Sequence, residues 1–367
     1  MRVALNLVYL VPGETGGMEV YARELIPRLA ALPGLELVCL VNREAAADGD
    51  APWGNAVPLE VVPVHARNRV EWVRGEQQHV PRIAAAASAD LIHSLASTAP
   101  LRSAMKRITT IHDLNYKLVP DAHFGLRALG MRVLVPASAR RSDRILVDAE
   151  STKRDLGSLL GTPLGKIDVA PLGVTPSPPV TPTPEAELRA RLELGEGEVL
   201  LTVSAKRPHK NLLRLLEAVA LLESKPTVVL PGYPTPHEAE LRERAAALGV
   251  RAVFPAWVSA EDLEGLYALA TAFVFPSLAE GFGLPVLEAM ARGVPVACSD
   301  RSSLPEVAGD AAILFDPFDP RAIADALRRI PGEAERLREA GRAQAARFTW
   351  ERCAELTHAA YVRTLAA

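Results

Sequence analysis

Short apolar, β-rich runs alternate with longer helical segments along this chain, and the alternation stops once and then starts again. Such alternation is typical of parallel βαβ units, in which each helix returns the chain to the start of the next strand. The interruption lies at residues 171–184, where six prolines in fourteen residues exclude a helix or a central strand. The pattern therefore predicts an α/β fold with two doubly wound domains and an extended linker between them.

The same periodicity sets the boundaries of the two domains. Predicted strands span 2–8, 36–41, 59–62, 91–93, 106–111, 144–147 and 167–169 in the first half, and 199–203, 227–230, 253–255, 272–276, 296–298 and 311–315 in the second. Predicted helices include 18–31, 71–87 and 349–365. We place the N-terminal domain at 1–172, the linker at 173–184 and the C-terminal domain at 185–348. Doubly wound sheets bind ligands at the carboxyl ends of their strands, so we expect functional residues there.

Composition limits the classes of protein and partner. The length of 367 residues suits two domains, and 49% hydrophobic with 23% charged residues is typical of a soluble globular protein. A net charge of −3 gives no reason to expect nucleic acid as a partner. No apolar run approaches the ~20 residues of a membrane span, and no secretory signal is evident. Three separated cysteines indicate buried thiols in a reducing compartment, so we expect a cytoplasmic protein without a zinc site.

The most informative stretch begins at Glu280 and ends at Glu288, and it joins a predicted strand to a helix that opens near Pro285. Gly281 and Gly283 let the backbone approach a ligand closely, and the free N–H groups of the helix start suit an anion or sugar hydroxyls. Glu280 lies in the loop, where it can accept hydrogen bonds from a sugar. Glu288 lies about one turn into the helix, where it can accept from a second set of hydroxyls.

Two other interpretations of these carboxylates remain open. A glycosidase acid–base pair would have to flank one bond from opposite faces, whereas two groups on one loop–helix element are better placed to hold a ligand from one side. Alternatively, the pair is an N-capping acid followed by a surface glutamate, which is the common role of exposed charged residues. The glycine-rich segment between the two favours ligand binding.

The stretch from Glu280 to Glu288, Glu-Gly-Phe-Gly-Leu-Pro-Val-Leu-Glu, resembles the E-x7-E signature of the retaining glycosyltransferases of family 4, or glycosyl transferases group 1. Further patterns resemble this family in the same order along essentially the whole chain. They are Gly-Gly-Met-Glu-Val-Tyr at 16–21, Ile-His-Asp-Leu at 111–114, Ser-Ala-Lys-Arg-Pro-His-Lys-Asn-Leu at 204–212, Ala-Trp-Val-Ser at 256–259, Leu-Pro-Glu-Val-Ala-Gly-Asp at 304–310, and Trp350. The Lys-Asn form of the lysine motif favours the mannosyltransferase-like members.

The resemblance implies a fold and a reaction. It implies the GT-B fold, with two Rossmann-like domains facing across a cleft and a C-terminal helix at 349–367 that crosses back to the N-terminal domain. The C-terminal domain would bind a nucleotide-sugar donor, and the N-terminal domain would bind the acceptor. It also implies that no metal and no cofactor is required. No carboxylate stands out as a covalent nucleophile, and the resemblance implies same-face attack in which the leaving phosphate helps to deprotonate the acceptor.

The resemblance assigns roles residue by residue. Lys210 would bind the donor diphosphate, Glu280 the hydroxyls of the transferred sugar and Glu288 the ribose, while His112 would lie beside the reacting sugar. His112, Lys210 and Glu280 are thus the catalytic candidates. The donor-binding candidates are Gly16, Gly17, Lys206, Arg207, Lys210, Trp257, Val258, Glu280, Gly281, Phe282, Gly283, Leu284 and Glu288. Many relatives carry an arginine where this chain has Ala205, and we expect Lys206 or Arg207 to replace it, unless the chain belongs to a subgroup without that arginine.

These observations predict a retaining, metal-independent hexosyltransferase of polysaccharide or glycolipid biosynthesis. Mannose from GDP-mannose is favoured over UDP-hexoses, and the acceptor is a glycan, a lipid-linked sugar or a small molecule. The Arg- and Trp-containing loop at 64–72 and the stretch at 115–120 are the acceptor-side candidates, and peripheral association with the inner membrane face would suit a lipid-linked acceptor. Two alternatives stay open: a non-catalytic nucleotide- or sugar-binding relative, and a GT-B epimerase or phosphorylase. The sequence leaves the linkage, the pathway and the oligomeric state open.

Overall fold

The structure is a computed structural model that describes residues 1–49, 57–120, 125–175 and 180–367, without the side chains of 125–129. The chain divides into two compact units. The first is formed by Met1–Lys117, Phe124–Gly173 and Thr349–Ala367, and the second mainly by Val174–Phe348. Of the proline-rich linker predicted from the sequence, residues 176–179 lie outside the described residues.

The first unit contains a parallel sheet. Its strands are β1 (Arg2–Leu7), β2 (Glu36–Val41), β3 (Leu59–Val61), β4 (Leu91–Ser94), β5 (Lys106–Thr110), β6 (Arg144–Val147) and β7 (Ile167–Val169). Their order in the sheet is β3-β2-β1-β4-β5-β6-β7. The order reverses between β1 and β4, where Asn6 lies opposite Ser94 at the carboxyl ends of the two strands. Doubly wound folds open a crevice at such a switch point.

Helices cover both faces of this sheet. They are α1 (Gly17–Ala30), α2 (Arg43–Ala46), α3 (Arg69–Arg74), α4 (Val80–Ala86), α5 (Asn115–Leu118), α6 (Gly125–Arg141) and α7 (Glu150–Leu160). On one face, α4 packs Val80 and Ala84 against Val38 and Ile92. On the same face, Leu156 of α7 packs with residues of β6 and β7, while on the opposite face Tyr21 of α1 hydrogen-bonds Thr110 of β5. Each fully buried Val, Leu or Ile side chain stabilises the fold by about 1.5–3 kcal/mol, so the apolar runs of the strands fix which faces are covered.

The helix predicted at 71–87 differs from the structure. A π-helical turn at Gly75–His79 separates α3 from α4 and turns Glu76 into the interior. Glu76 Oε1 accepts hydrogen bonds from Asn6 Nδ2 at 3.3 Å and from Thr98 Oγ1 at 2.9 Å. Burial raises the pKa of Glu76 to about 7. The additional residue of a π-turn shifts the helical periodicity, which explains why a regular pattern of apolar positions did not predict it.

The second unit repeats the parallel architecture. Its strands are β8 (Val199–Leu201), β9 (Thr227–Val229), β10 (Ala252–Val253), β11 (Ala272–Phe275), β12 (Val296–Ser299) and β13 (Ala312–Phe315), in the order β10-β9-β8-β11-β12-β13. Its helices are α8 (Glu185–Arg191), α9 (Leu212–Ala220), α10 (His237–Leu248), α11 (Ala260–Leu269), α12 (Leu284–Ala291), α13 (Leu304–Ala308) and α14 (Pro320–Ala345). The strand order reverses between β8 and β11, so the loops that follow these two strands meet at one edge of the sheet.

The last helix, α15 (Trp350–Ala366), belongs to the first unit, as the fold prediction required. Thr349 caps it by accepting a hydrogen bond from Arg352 N at 3.1 Å. The Trp350 ring is buried, and its centre lies 6.4 Å from the centre of the Tyr21 ring on α1. Gly173 lies against the Trp350 backbone so closely that a side chain at 173 would overlap it. The return of the chain to the first unit therefore depends on a glycine at this point.

None of the helices in the described part of the chain is both long and apolar enough to cross a membrane. The three cysteines, Cys39, Cys298 and Cys353, are buried free thiols. Burial raises the pKa of Cys39 and of Cys298 to about 12, so both are protonated at neutral pH.

Candidate active site

Two opposite charges meet at the carboxyl edge of the second sheet. Lys210 ends a 3-10 turn in the loop after β8, and Glu280 lies in the loop after β11. Lys210 Nζ donates to Glu280 Oε1 at 2.6 Å and lies 5.2 Å from the centre of the Phe275 ring. The side chains of Lys210 and Glu280 are 16% and 12% exposed, so the pair is sheltered but reachable from solvent. A sheltered pair of this kind can bind an anion and a hydroxyl side by side.

Asn211 fixes the position of the lysine that precedes it. Its backbone adopts the left-handed conformation with φ at 58°, which asparagine tolerates better than most residues. Its Nδ2 donates to Pro276 O at 3.2 Å and to Pro317 O at 2.7 Å. Leu278 N donates to His209 O at 2.9 Å, which ties the loop after β11 to the loop after β8. Asn211 therefore holds the backbone of Lys210 in the position that brings its ammonium to the Glu280 loop.

Two serines that were not predicted from the sequence bind the backbone of the Glu280 loop. Ser302 Oγ donates to Glu280 O at 2.6 Å and accepts from Glu280 N at 3.1 Å. Ser303 Oγ donates to Phe282 O at 2.6 Å. Gly283, with φ at 109°, is the N-cap residue of α12, and a side chain there would collide with Leu304. These contacts leave the carboxylate of Glu280, rather than its backbone, as the part available to a ligand.

The other predicted members of this loop differ in exposure. The Phe282 ring is buried and packs edge-on against Phe348 at 5.8 Å, so it is a core residue, and a donor would meet its backbone at most. Gly281 and Leu284 are half-buried, and Leu284 is the first residue of α12, where helix N–H groups are free of intrahelical partners. The structure thus brings the loop backbone and the helix start to the same edge as Lys210.

Glu288 lies on α12 and is oriented by Tyr267 of α11. Tyr267 Oη donates to Glu288 Oε2 at 3.3 Å. The guanidinium of Arg292 lies 4.7 Å from the centre of the Tyr267 ring and is itself held by the buried carboxylate of Glu264, with Nε to Oε1 at 2.9 Å. Burial raises the pKa of Glu288, although the nearby Arg292 opposes this. The carboxylate is therefore pre-positioned, with one oxygen bonded to the protein.

The two candidate cations near Ala205 have different surroundings. Lys206 is completely buried, and its ammonium donates to Gly232 O and to Pro255 O at 2.9 Å. Burial lowers the pKa of Lys206 to about 8. The expectation that Lys206 replaces the missing arginine as a phosphate ligand does not fit this geometry, because the side chain is fully buried and two of its three N–H donors serve main-chain carbonyls. Arg207 is exposed and keeps this candidacy.

An exposed aromatic surface lies in the loops after β9 and β10. Trp257 is 71% exposed, and its ring meets the Tyr233 ring edge-on at 5.5 Å. Val258, the next residue, is half-buried. Large aromatic side chains with this much exposure are typical of binding surfaces, since they supply flat apolar area. Tyr233 was not predicted from the sequence, although a glycine followed by an aromatic residue at a strand end was a usable signal.

In the first unit, Gly16 and Gly17 lie at the start of α1. Gly16 has φ at 63° and is the N-cap residue of that helix. A methyl group added at either glycine would meet no other atom within 4 Å among the described residues, so packing does not require a glycine at 17. The space beside this helix start is open, as an approaching ligand needs.

His112 follows β5 and lies in a closed hydrogen-bond cluster of the first unit. Its Nδ1 is 2.7 Å from Asp148 Oδ2, and its Nε2 donates to Leu95 O at 2.9 Å. The Tyr21 ring contacts it edge-on at 4.9 Å. Burial alone would lower the pKa of His112, but Asp148 and the Leu95 carbonyl raise it above its ordinary value. Two accepting partners favour an imidazolium that donates from both nitrogens.

His93, at the end of β4, is the neutral counterpart. Its Nδ1 hydrogen-bonds with Tyr361 Oη at 2.7 Å and its Nε2 with Thr110 Oγ1 at 2.8 Å. Burial, with a smaller contribution from the neighbouring His112, lowers the pKa of His93 to about 3. Both ring nitrogens are engaged with hydroxyl groups inside the unit. His93 therefore serves the structure of the sheet and the last helix, and not a ligand.

Asp148 is the residue of this cluster that sequence reasoning missed. It directly follows β6 and is 3% exposed, so it occupies the same kind of strand-end position as His112. A carboxylate after an apolar strand was the available signal. Within the described ranges, no group of three or more histidine, cysteine or acidic side chains is arranged to hold a metal ion.

Two family models match this chain, one in each half of the sequence. Residues 15–177 match the family model described as Glycosyltransferase Family 4, and residues 185–346 match the model described as Glycosyl transferases group 1. O-antigen chain mannosyltransferase B of Escherichia coli is 34% identical over 268 residues, which are 70% of this chain and 70% of that protein.

Solved structures share the fold over the whole chain. Sucrose-phosphate synthase from Thermosynechococcus elongatus has a TM-score of 0.77 and 22% identity, and the match covers 100% of this chain and 99% of that one. Anabaena HepE in complex with UDP and glucose has a TM-score of 0.76 and 18% identity, with 99% and 100% of the chains covered. These similarities confirm the predicted two-domain α/β fold of the GT-B type.

Proposed function

We propose, because the chain belongs to the family 4 glycosyltransferases, that it transfers a hexose from a nucleoside-diphosphate sugar to a hydroxyl group with retention of the anomeric configuration. The transferred sugar is mannose, and the acceptor is a glycan or a lipid-linked sugar. The mannose assignment is supported by the O-antigen mannosyltransferase relative, and a nucleotide donor is supported by the UDP bound to HepE.

The ion pair of Lys210 and Glu280 carries this proposal. The ammonium binds the donor diphosphate and offsets the negative charge that grows on the leaving phosphate as the glycosidic bond breaks. Glu280 accepts hydrogen bonds from the hydroxyls of the transferred sugar. With Nζ and Oε1 only 2.6 Å apart, the diphosphate and the sugar are held at neighbouring points of one loop edge. A donor in which phosphate and sugar are adjacent fits these two groups better than either a free sugar or a free nucleotide.

The remaining donor groups follow from the same edge. Glu288 accepts from the ribose diol, since the oxygen that does not bond Tyr267 is free for this purpose among the described residues. The nucleobase lies against Trp257 and Val258, and the loop backbone at Gly281 and Gly283 approaches the sugar and phosphates. Arg207 supplies a second cation for the diphosphate.

Retention proceeds by attack on the same face of the sugar. The bond between the anomeric carbon and the phosphate oxygen breaks, the bond to the acceptor oxygen forms, and the acceptor proton passes to the leaving phosphate. His112 stays a catalytic candidate in this proposal through its backbone, because both of its ring nitrogens are already bonded, to Asp148 and to Leu95 O. A glycosyl–enzyme adduct trapped by mass spectrometry would contradict this mechanism.

The first test is a thermal-shift panel with UDP, GDP, ADP and their sugar conjugates, each with and without a chelator. A ligand at 100 times its Kd stabilises the folded state by about 2.7 kcal/mol, which is readily measured. We expect one nucleotide family to raise the Tm, with GDP favoured, and the shift to be lost in Lys210→Ala and Glu288→Ala. Lys153→Ala, on α7 of the first unit, is the control and keeps the shift.

A turnover assay completes the test. Wild-type protein with the stabilising donor releases nucleotide and transfers the sugar to an acceptor, and the product keeps the donor's anomeric configuration. We propose that the rate is unchanged in chelator. Binding without any hydrolysis or transfer would show that the protein binds a nucleotide sugar and is not an enzyme. The absence of a Tm shift with every nucleotide would overturn the donor-site assignments.

A further inference from the structure

Lys206 lies four residues before Lys210 in the same loop, yet its environment is of another kind. Its side chain is fully buried, and its ammonium donates to the carbonyls of Gly232 and Pro255, the latter at 2.9 Å. The nearest carboxylate is that of Glu238, 3.9 Å away. Burying an ammonium is costly unless its donors are satisfied. The two carbonyl bonds offset part of this cost, and they tie together the two segments that carry those carbonyls.

Those bonds join two loops that are far apart in sequence. Gly232 follows β9 and Pro255 follows β10, and Gly232 N donates to Pro255 O at 3.1 Å. The backbone of Lys206 is part of the same junction, because its N donates to Tyr233 O at 3.1 Å and its carbonyl accepts from Thr235 Oγ1. A single buried side chain thus links the ends of three neighbouring strands, β8, β9 and β10.

Gly232 shows how closely these loops approach. Its φ is 137°, a conformation that side-chain-bearing residues rarely adopt, and a methyl group there would overlap the Ser204 carbonyl oxygen. The loop after β9 therefore lies directly on the loop after β8. This contact leaves no room for a ligand between Lys206 and the two carbonyls.

Each of the two joined loops carries one ring of the exposed aromatic pair. Tyr233 is adjacent to Gly232, and Trp257 is two residues beyond Pro255. The rings meet at 5.5 Å with their planes 70° apart, while the indole stays 71% exposed. The fully buried Trp350 shows that this fold can bury an indole, so the exposure of Trp257 is a property of its loop.

We propose that Lys206 is a positioning residue for nucleotide binding: its buried ammonium locks the loops that present Tyr233 and Trp257 as a two-ring surface for the nucleobase of the donor. This rests on the proposed function of the donor site and adds Tyr233 and Lys206 to it. The lysine acts on the base through the rings and makes no contact with the phosphates. Its loss weakens binding of the nucleoside part and leaves the diphosphate contact of Lys210 intact.

The experiment compares Lys206→Met with Lys210→Met, two variants that remove an ammonium from the same loop. The ligands are the nucleoside diphosphate that stabilises wild type and inorganic pyrophosphate, which lacks a base. For Lys206→Met we expect nucleoside diphosphate affinity and donor KM to worsen about tenfold, with kcat within about twofold and pyrophosphate inhibition unchanged. Lys210→Met weakens both ligands and lowers kcat. Equal loss of pyrophosphate binding in the two variants would make Lys206 a phosphate ligand and overturn the proposal.

A double variant tests whether the effect passes through the rings. Lys206→Met combined with Trp257→Ala is expected to bind the nucleotide no more weakly than Trp257→Ala alone, because Trp257→Ala has already removed the two-ring surface. Additive losses would show that Lys206 acts elsewhere. If Lys206→Met fails to fold by circular dichroism, Thr235→Val removes one bond of the same junction without disturbing the buried charge. It is expected to show the same selective loss of nucleoside affinity, to a smaller extent.

A ligand-free measurement separates this proposal from the proposed function. With 5-fluorotryptophan incorporated, the fluorine resonance of Trp257, assigned by Trp257→Phe, is expected to shift or broaden in Lys206→Met while the Trp350 resonance stays in place. An unchanged Trp257 resonance in Lys206→Met overturns the positioning role, whatever the nucleotide data show. Wild-type protein that binds no nucleotide would instead overturn the proposed function and, with it, the ligand assigned to the rings.

Discussion

The charged groups of the two units are held in different ways. In the first unit, both ring nitrogens of His112 are occupied, one by Asp148 at 2.7 Å and one by Leu95 O at 2.9 Å. In the second, Lys210 meets a single carboxylate oxygen of Glu280 and the face of an aromatic ring. The first arrangement fixes a charge state inside the protein. The second leaves donors and acceptors that a ligand can engage, so the second unit is where we expect substitutions to affect binding and turnover most.

A second contrast lies within the first unit, between two histidines at neighbouring strand ends. His93 bonds two hydroxyls and His112 bonds a carboxylate and a carbonyl, and the pKa of the first is lowered while that of the second is raised. Burial acts in the same direction on both rings. The hydrogen-bond partners therefore decide the direction of the pKa shift. The two hydroxyls are compatible with a neutral His93 ring, whereas the carboxylate of Asp148 favours a charged His112 ring.

The largest effect is expected from Lys210→Ala, which removes the cation of the Lys210–Glu280 ion pair. Without the ammonium, the charge that develops on the leaving phosphate is unsupported, and kcat should fall by about 10²–10³-fold, as for the loss of one preorganised donor in other enzymes. Steady-state kinetics with the stabilising donor measures this, and Lys153→Ala is the control. A loss smaller than about fivefold would mean that another cation, with Arg207 the first candidate, carries the phosphate.

Asp148→Asn tests the closed cluster. It removes the negative charge that raises the pKa of His112, so the ring should become neutral at lower pH, and the activity should fall by about tenfold or more if the charged form is needed. Nuclear magnetic resonance of ring-labelled histidine, assigned with single His variants, follows both rings. In wild type we expect His112 to remain charged above its ordinary pKa near 6.5 and His93 to remain neutral down to about pH 3.

The same substitution has a defined consequence for stability. Because the folded pKa of His112 is raised, its contribution to the free energy of unfolding is present below the unfolded pKa and is lost as the pH rises through the folded value. The fall in Tm with rising pH in this range should be smaller in Asp148→Asn. An identical fall in both proteins would show that His112 is not the titrating group.

Tyr267→Phe is expected to have an intermediate effect, and it acts on the donor side. The ring and its contact with Arg292 remain, but Glu288 loses the hydrogen bond that orients it, so donor KM should rise about five- to tenfold with little change in kcat. A 2′-deoxynucleoside diphosphate lacks one ribose hydroxyl, so the loss of affinity caused by Tyr267→Phe should be smaller for this ligand than for the nucleoside diphosphate. The same loss with both nucleotides would show that Tyr267 acts on something other than the ribose contact.

Much of the fold followed from local sequence. Each of the thirteen predicted strands corresponds to an observed strand, and the ends differ by no more than two residues, because apolar β-rich runs are bounded here by proline, glycine and polar residues. The π-turn at Gly75–His79 could not be predicted this way. Its stability depends on bonds from Glu76 to Asn6 and Thr98, which lie 70 and 22 residues away.

The candidate site divides along the same line. Two motifs, each within one strand–loop–helix unit, predicted that Lys210, Glu280 and Glu288 lie at the same sheet edge, because the carboxyl ends of parallel strands share that edge. Partners across loops were missed. Lys206 was expected to bind phosphate because it follows Ala205, where many relatives carry an arginine. Only the positions of Gly232 and Pro255 show that its ammonium is occupied. The protonation states of the two histidines likewise depend on Asp148 and Tyr361, which no local pattern connects to them.

Tyr361→Phe is expected to give the smallest effect, and it addresses stability alone. It leaves His93 Nδ1 buried without its hydroxyl partner, which should lower the free energy of unfolding by about 1 kcal/mol. For a unit of this size, that corresponds to roughly 2–4 °C in Tm, with donor KM unchanged. The pH dependence should run opposite to that of His112: a lowered pKa means that the contribution of neutral His93 is present above about pH 6.5 and is lost as the pH falls. Because acid then destabilises through one histidine and base through the other, melting wild type, Tyr361→Phe and Asp148→Asn from acid to alkaline pH separates the two. A Tyr361→Phe variant that loses activity but not stability would place His93 on the ligand side after all.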